Sequence, residues 1–536
     1  MAGNQKGFVW DARYSDKMAH AYKNKYDGYV PGSQFRERAG RLMLGVNKAW
    51  GHSRLTWTAY HLTPSIIEGE RDPKTGELVH GEGFTDHGYG KSLPFQQVKH
   101  YKLVWDNALN LSSGYLKAII GYQQNRRQEY EESMDEYGLF LKQQTLTYDL
   151  RYITHEWNGW KLSSGIGGMY QQSDNKGEEY LIPDSRLFDF GLYATVSKSL
   201  GDRWTLNGGL RYDHRRLHGY ELMEDGEMRF VDFTRHFNGL TGSIGAVCNI
   251  NEHFNLRLNL ARGFRTPNMS ELASNGVHEG SLRYEIGNQQ LKAEYSLQAD
   301  LGVDFTSRYI SAQLALFANR IDNYIFTHRV AEEMEEGYLT YAYTQGDARL
   351  LGFEAGVDFH PIHSVHFSNT FSYVDAQLLH ADADTKYLPF TPAPKWTSEL
   401  KWELFHHTHS TVSSHAMHEY RHAHPKNGVA LNNLYLAAGL DCYLKQTHIY
   451  SADDTETPTP GYALLSLSAG TDIQVKGKKI AEFHITADNL LNKAYQNHLS
   501  RLKYADENAV TGRRGVYNMG RNIIFKIVIP IGNISL

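Results

Sequence analysis

Arg203-Trp204-Thr205-Leu206-Asn207-Gly208-Gly209-Leu210-Arg211-Tyr212-Asp213 sets how the rest of this chain is read. Trp204, Leu206, Leu210 and Tyr212 fall on one side of an extended backbone, and Arg203, Thr205, Asn207, Arg211 and Asp213 fall on the other. Successive side chains of a strand point to opposite faces, so this segment predicts a strand with one apolar and one wet surface. His253–Phe264 repeats the pattern, with Phe254, Leu256, Leu258 and Leu260 opposed by Asn255, Arg257 and Asn259. In Trp396–Leu404, Trp396, Leu400, Trp402 and Leu404 oppose Thr397, Glu399, Lys401 and Glu403. Roughly twenty such segments follow one another, where soluble sheets rarely exceed about ten strands. The wet faces carry many charges and the apolar faces carry Trp and Tyr, the pattern of a lipid-facing barrel with aromatic girdles. The predicted fold is all-β, an antiparallel transmembrane β-barrel. A soluble sandwich or propeller would not need charges along so many wet faces.

The connections alternate in length as well. The last strand, read as Tyr517–Ile529, places Ile523, Phe525, Ile527 and Ile529 on one face, and bacterial barrels end on the periplasmic side. Counting back from it, tight turns near Gly51, Ser112, Asn158, Gly201, Asn251, Ser307, Pro361 and Gly477 fall on the periplasmic rim. Long connections near Asp27, Glu77, Asp135, Asn175, Asp225, Asn275, Glu335, Asp384, Asp453 and Asp506 fall outside. One connection breaks the parity. Between Leu404 and Val429, where a short turn is due, the chain carries His406, His407, His409, His415, His418, His422 and His424.

That insertion contains His418-Glu419-Tyr420-Arg421-His422, the spacing with which zinc proteases hold a metal on one helix face. Ser413-Ser414 and Pro425-Lys426-Asn427-Gly428 flank it, with no apolar helical stripe, so a protease is not the reading. The alternatives are a solvated insertion and a loose metal-binding loop in which those seven histidines are the ligands. The chain has 27 His in all, roughly double ordinary usage. Those on the outer side include His80, His87, His278, His328 and His448, and neutral imidazole suits zinc, copper, nickel or haem iron.

Composition excludes several classes. No run approaches the roughly eighteen apolar residues of a transmembrane helix, which leaves a barrel untouched because only alternate residues meet lipid. Only 14 Pro among 536 residues suits long ladders. A net charge of −5 argues against a nucleic-acid partner. Cys248 and Cys442 lie in separate predicted strands and read as two isolated thiols rather than a disulfide, with no metal spacing. No nucleophile elbow, phosphate loop or dinucleotide fingerprint is present, so no enzyme is expected. Met1–Lys6 leads directly into the first predicted strand, Phe8–Tyr14, without a signal segment. The expectation is one domain over residues 1–536, N-terminally incomplete.

Phe264-Arg265-Thr266-Pro267, Glu271-Leu272, Ser274-Asn275-Gly276-Val277-His278 and Tyr284-Glu285-Ile286-Gly287-Asn288-Gln289-Gln290-Leu291 carry a resemblance. Together they are similar to the paired boxes at either end of one extracellular loop in TonB-dependent outer-membrane receptors. Where the family usually has alanine, proline and asparagine, this chain has Thr266, Gln289 and Gln290. Asp454-Thr455-Glu456-Thr457-Pro458-Thr459-Pro460-Gly461-Tyr462 matches as well. So do Asp488-Asn489-Leu490-Leu491, Tyr495–Arg501 and Asn518-Met519-Gly520-Arg521-Asn522.

The resemblance implies a barrel of about 22 strands filled by an N-terminal plug, of which about 20 strands and no plug are expected here. It implies residence in the outer membrane of a Gram-negative bacterium, contact with its lipid, and energy delivered by TonB through a segment that this sequence does not contain. It implies a small-molecule metal chelate as cargo (an iron–siderophore, haem or zinc), no required cofactor, and a monomer. His278, Arg283, Tyr284 and His328 are the candidate cargo contacts. The competing class is a non-energised, porin-like barrel or a non-functional truncated receptor remnant.

Overall fold

In the computed structural model, residues 1–278, 283–335, 338–404, 428–476 and 478–531 are described. One sheet of 23 strands dominates it. Two of these, Asn275–His278 and Arg283–Ile286, form a hairpin within a loop, and the other strands make the wall. Each wall strand pairs antiparallel with its predecessor, from Ala2–Gln5 with Phe8–Ala19 to Lys478–Asp488 with Asn522–Val528. The three segments that opened the reading are strands Trp204–Gly219, Phe254–Arg265 and Lys395–Glu403.

The pleat sorts the side chains as the alternation predicts. Leu206, Leu210, Ile244, Leu258, Leu260, Leu297 and Leu316 are exposed on the outer wall although they are large and apolar. A shallow depression lined by Leu206, Ile244, Leu258 and Leu316 lies on this wall, where acyl chains fit. The other face carries ion pairs such as Arg151–Asp149 at 2.6 Å and Arg211–Asp213 at 2.6 Å. Cys248 and Cys442 are both free.

Three readings are corrected. Ala2–Gln5 is a strand, joined to the next by Lys6-Gly7, so the wall begins before Phe8. The connection near Glu335 is not a long loop: strands Ile310–Glu335 and Tyr338–Ile362 continue their pairing almost to the tip, because the ladder satisfies backbone groups that a polar loop would leave to water. The final strand starts at Asn522 rather than Tyr517, since the backbone of Tyr517 is used at the outer rim. The histidine-rich insertion, with its zinc-protease spacing, lies outside the described residues.

Among the described residues, no ladder joins the first wall strand to the last. The seam is bridged instead at the outer rim. Tyr22 Oη and Asn24 Nδ2 each donate to the Tyr517 carbonyl at 3.0 Å, and Gly520 N–H donates to the Lys23 carbonyl at 2.9 Å. Asp27 accepts from Tyr517 N–H and from Arg71, 2.8 Å away, with both side chains of that ion pair 4% exposed. Arg71 also donates to the carbonyls of Gly76 and Gly515.

Candidate functional site at the extracellular mouth

The loop between strands Phe254–Arg265 and Glu294–Thr306 folds into the mouth, and its motif residues explain why. Asn268 caps a short helix, Met269–Ala273, by accepting from Glu271 N–H, while the Glu271 carboxylate accepts from Asn268 N–H. Arg265 clamps the two ends of the loop, 2.8 Å from Glu271 and 2.5 Å from Glu294. Glu294 also accepts from Ile325 N–H. Leu272 and Leu291, each 1% exposed, pack with Leu187, Leu217 and Ile325. Leu187 and Leu217 alternate with the outward Phe188 and Arg216, so the helix rests on the inner wall. A side chain at Gly287 would strike the backbone nitrogens of Ala273 and Ser274, which accounts for the glycine there. Arg235 holds the Gln289 and Leu291 carbonyls.

The hairpin Asn275–Ile286 crosses this cover. Its second strand pairs in parallel with strand Tyr338–Ile362, Glu285 opposite Tyr341, while Arg329 stands opposite Tyr341 on the other side. Arg283, Glu285, Tyr341 and Arg329 therefore share one face. Arg283 bonds Glu285 at 2.6 Å and lies over the Tyr341 ring at 4.9 Å. Arg501, from the short helical turn Arg501–Tyr504, sits over the Phe390 ring at 3.3 Å. Burial and then the neighbouring charge of Arg283 push the Arg501 guanidinium down to about 10. Neither Arg501 nor Arg329 makes an ion pair among the described residues, and the buried Nη1 of Arg283 and Nε of Arg329 have no acceptor.

Beneath Arg501 lies a buried network. Lys503, 7% exposed, donates to the Thr457 carbonyl and Thr459 hydroxyl, both at 2.9 Å. Burial pushes its ammonium down to about 8, with Glu456 opposing that shift and Arg501 adding to it. Glu456, 2% exposed, accepts from Phe390 and Tyr450 N–H and lies 3.4 Å from His498. On the other side of the hairpin, Glu178, Glu179, Tyr180, Glu224, Arg229 and Val277 line a polar cavity of about 340 Å³.

The four sequence candidates are not brought to one point. Tyr284 is 6% exposed, its hydroxyl donating to Asn275 at 2.8 Å inside the cover. His328 lies on the opposite face from Arg283, its ring 6.1 Å from Tyr450 and its Nδ1 3.0 Å from the Arg329 carbonyl. The backbone of His278 pairs with Arg283, and its side chain lies outside the described residues. Sequence reading missed Arg329, Arg501 and Lys503. The third family motif passed through Arg501, which was the available signal.

A lipid-facing wall, tight turns on one rim and a packed loop cover on the other define a receptor-type outer-membrane barrel. The family described as "TonB dependent receptor-like, beta-barrel" matches residues 8–490, and the chain belongs to that family. Members of this family are outer-membrane receptors and transporters rather than enzymes. The copper transporter OprC is similar over 98% of this chain and 76% of its own, with a TM-score of 0.77 at 16% identity. The FrpB iron transporter from Neisseria meningitidis (F3-3 variant) is similar over 98% and 78%, with a TM-score of 0.69 at 14% identity. The ferric yersiniabactin uptake receptor FyuA from Yersinia pestis covers 98% and 76%, with a TM-score of 0.64 at 14% identity. At such identities the likeness is one of fold.

Proposed function

We propose that this chain is the barrel of an outer-membrane receptor that takes up an anionic metal complex by TonB-dependent transport. The observation that carries this is the set of arginines at the mouth: Arg283 and Arg329 share one face, each with a buried donor that has no acceptor, and Arg501 lies close enough to Arg283 for that charge to disfavour its own. A guanidinium fork pairs bidentately with planar oxyanions, and the chelating arms of a metal complex present such oxygens. Tyr341 and Phe390 supply aromatic faces beside it. His278 and His328 are further contacts on the same rim, and Tyr284 holds the hairpin that carries Arg283. Neighbours named for copper, iron and ferric yersiniabactin support a metal cargo.

In this reading the barrel acts as a single domain and a monomer, in a Gram-negative outer membrane and around a plug, with TonB supplying energy. The test is accumulation of a radiolabelled ferric chelate by cells carrying the chain within its plug-bearing receptor. Uptake should stop when the proton-motive force is collapsed or TonB is removed. Uptake that continues unchanged would identify a passive, porin-like barrel.

A further inference from the structure

At the opposite end of the wall, strands Tyr338–Ile362 and Val365–Leu378 meet at a tight periplasmic turn. Their register runs evenly to Phe359 opposite Phe367 and resumes at Ile362 opposite Val365. His360 and Pro361 therefore stand opposite the single residue His366. This is a β-bulge, a device that re-aims a side chain, and proline is tolerated there because the ladder is already interrupted. Val357, Phe359 and Phe367 are exposed on the lipid side, so by the alternation of the pleat Asp358, His360, His366 and Ser368 face the lumen, with the bulge lying beside them at the turn.

The result is a compact three-ligand set. Asp358 Oδ2 lies 3.1 Å from His360 Nδ1 and 3.0 Å from His366 Nδ1, and the ligand atoms of the three side chains all lie within 4.8 Å of one another. Ser368 Oγ donates to the other carboxylate oxygen at 2.7 Å and fixes its orientation. Side-chain exposures of 29%, 17% and 35% for Asp358, His360 and His366 leave the set open to the lumen.

We propose that Asp358, His360 and His366 form a binding site for a divalent first-row transition ion on the inner wall at the periplasmic exit. Four-coordinate zinc has bonds of about 2.0 Å to imidazole nitrogen and carboxylate oxygen, which sets the edge between neighbouring ligand atoms at about 3.3 Å. The nitrogen-to-oxygen separations need to open by only a few tenths of an ångström to admit the ion. Two imidazoles and one carboxylate are borderline ligands, so Cu²⁺ and Zn²⁺ bind most tightly, and an open position remains for water or an exchanging ligand. This site differs in chemistry from the mouth: it takes the bare ion, whereas the arginines take the oxygens of a complex. It stands whether or not the mouth selects anions.

The test uses the full chain refolded in detergent micelles, with the seven histidines between 406 and 424 changed to asparagine so that they do not add sites. Titration with Zn²⁺ alone should give one saturable site, and Cu²⁺ alone should give an electron paramagnetic resonance spectrum with two nitrogen ligands. His360→Asn and His366→Asn should each weaken binding by roughly 10-fold or more and remove one nitrogen coupling. Heat-modifiable gel mobility shows that each variant remains folded. Absence of a saturable site in the folded parent would overturn the proposal. So would equal affinity in the parent and the His360→Asn/His366→Asn double variant.

Discussion

At the extracellular rim the strands run into long connections, 20–34, 65–94, 266–293 and 489–521, in which selected charged groups, such as Asp27 and Arg71, are buried against one another. At the periplasmic rim the same strands reverse through turns such as Ala49–Trp50 and Ser112–Ser113, where side chains remain in contact with water. One wall thus ends in two kinds of chemistry. The outer end is a second structure built on the barrel, able to hold charges out of water because loop backbone and counter-charges satisfy them. Among the described residues the inner end is the closure of hairpins, so special chemistry there comes from the lumen-facing residues themselves, as at Asp358, His360 and His366.

The sharpest way to break the contrast is at the outer seam. Arg71→Ala leaves the Asp27 carboxylate buried without its cation and removes donors to Gly76 and Gly515, and should destabilise the barrel by about 3–5 kcal/mol. The matching change on the inner rim, Ser307→Ala, removes a hydroxyl that accepts from Ile310 N–H at 3.1 Å and should cost about 0.5–1.5 kcal/mol. The midpoint temperature of heat-modifiable gel mobility reads both. Equal shifts would remove the distinction between the two rims.

A smaller effect sharpens the electrostatic side of the comparison. Lys503 titrates at about 8 in the fold, against 10.5 when unfolded. Between those values the unfolded chain binds more protons, so stability should rise with pH, by roughly 2–3 kcal/mol over the window. Below pH 8 both forms are charged and the contribution is flat. In Lys503→Met the rise should disappear. A slope that survives the substitution would place its origin elsewhere.

Most of the wall was legible because lipid on one face and water on the other force a strict alternation, and Trp204, Leu206 and Leu210 announce it. The parity of turns and loops was legible for the same reason. The start of the wall was not: Ala2-Gly3-Asn4-Gln5 has no amphipathic signal, and only its pairing with Phe8–Asp11 makes it a strand. The tip near Glu335 was misread because acidic residues look like loop when backbone pairing alone extends a hairpin. At the mouth, Arg283 was named beside the family box that starts at Tyr284, while Arg329 and Arg501 were missed, since what places them, a register opposite Tyr341 and the ring of Phe390, comes from segments distant in sequence. The boxes that carried the resemblance prove to be clamps: Arg265, Glu271 and Gly287 seat the loop. The metal triad was not read from the sequence because alternation puts only Asp358 and His360 on one face, and it is the pairing register with the next strand that adds His366.

The central claim is that the mouth selects an anionic complex through Arg283 and Arg501. The direct measurement is the affinity of the refolded chain for a series of ferric chelates of similar size carrying negative, zero and positive net charge. It is made on the parent and on the Arg283→Gln/Arg501→Gln double variant, with heat-modifiable gel mobility checking that both are folded. The account predicts tightest binding of the anionic chelate, falling roughly 10-fold or more in the variant as two charge-assisted pairs are lost, with the neutral chelate unchanged. Equal affinity across the series, or an anionic preference that survives in the variant, would contradict it.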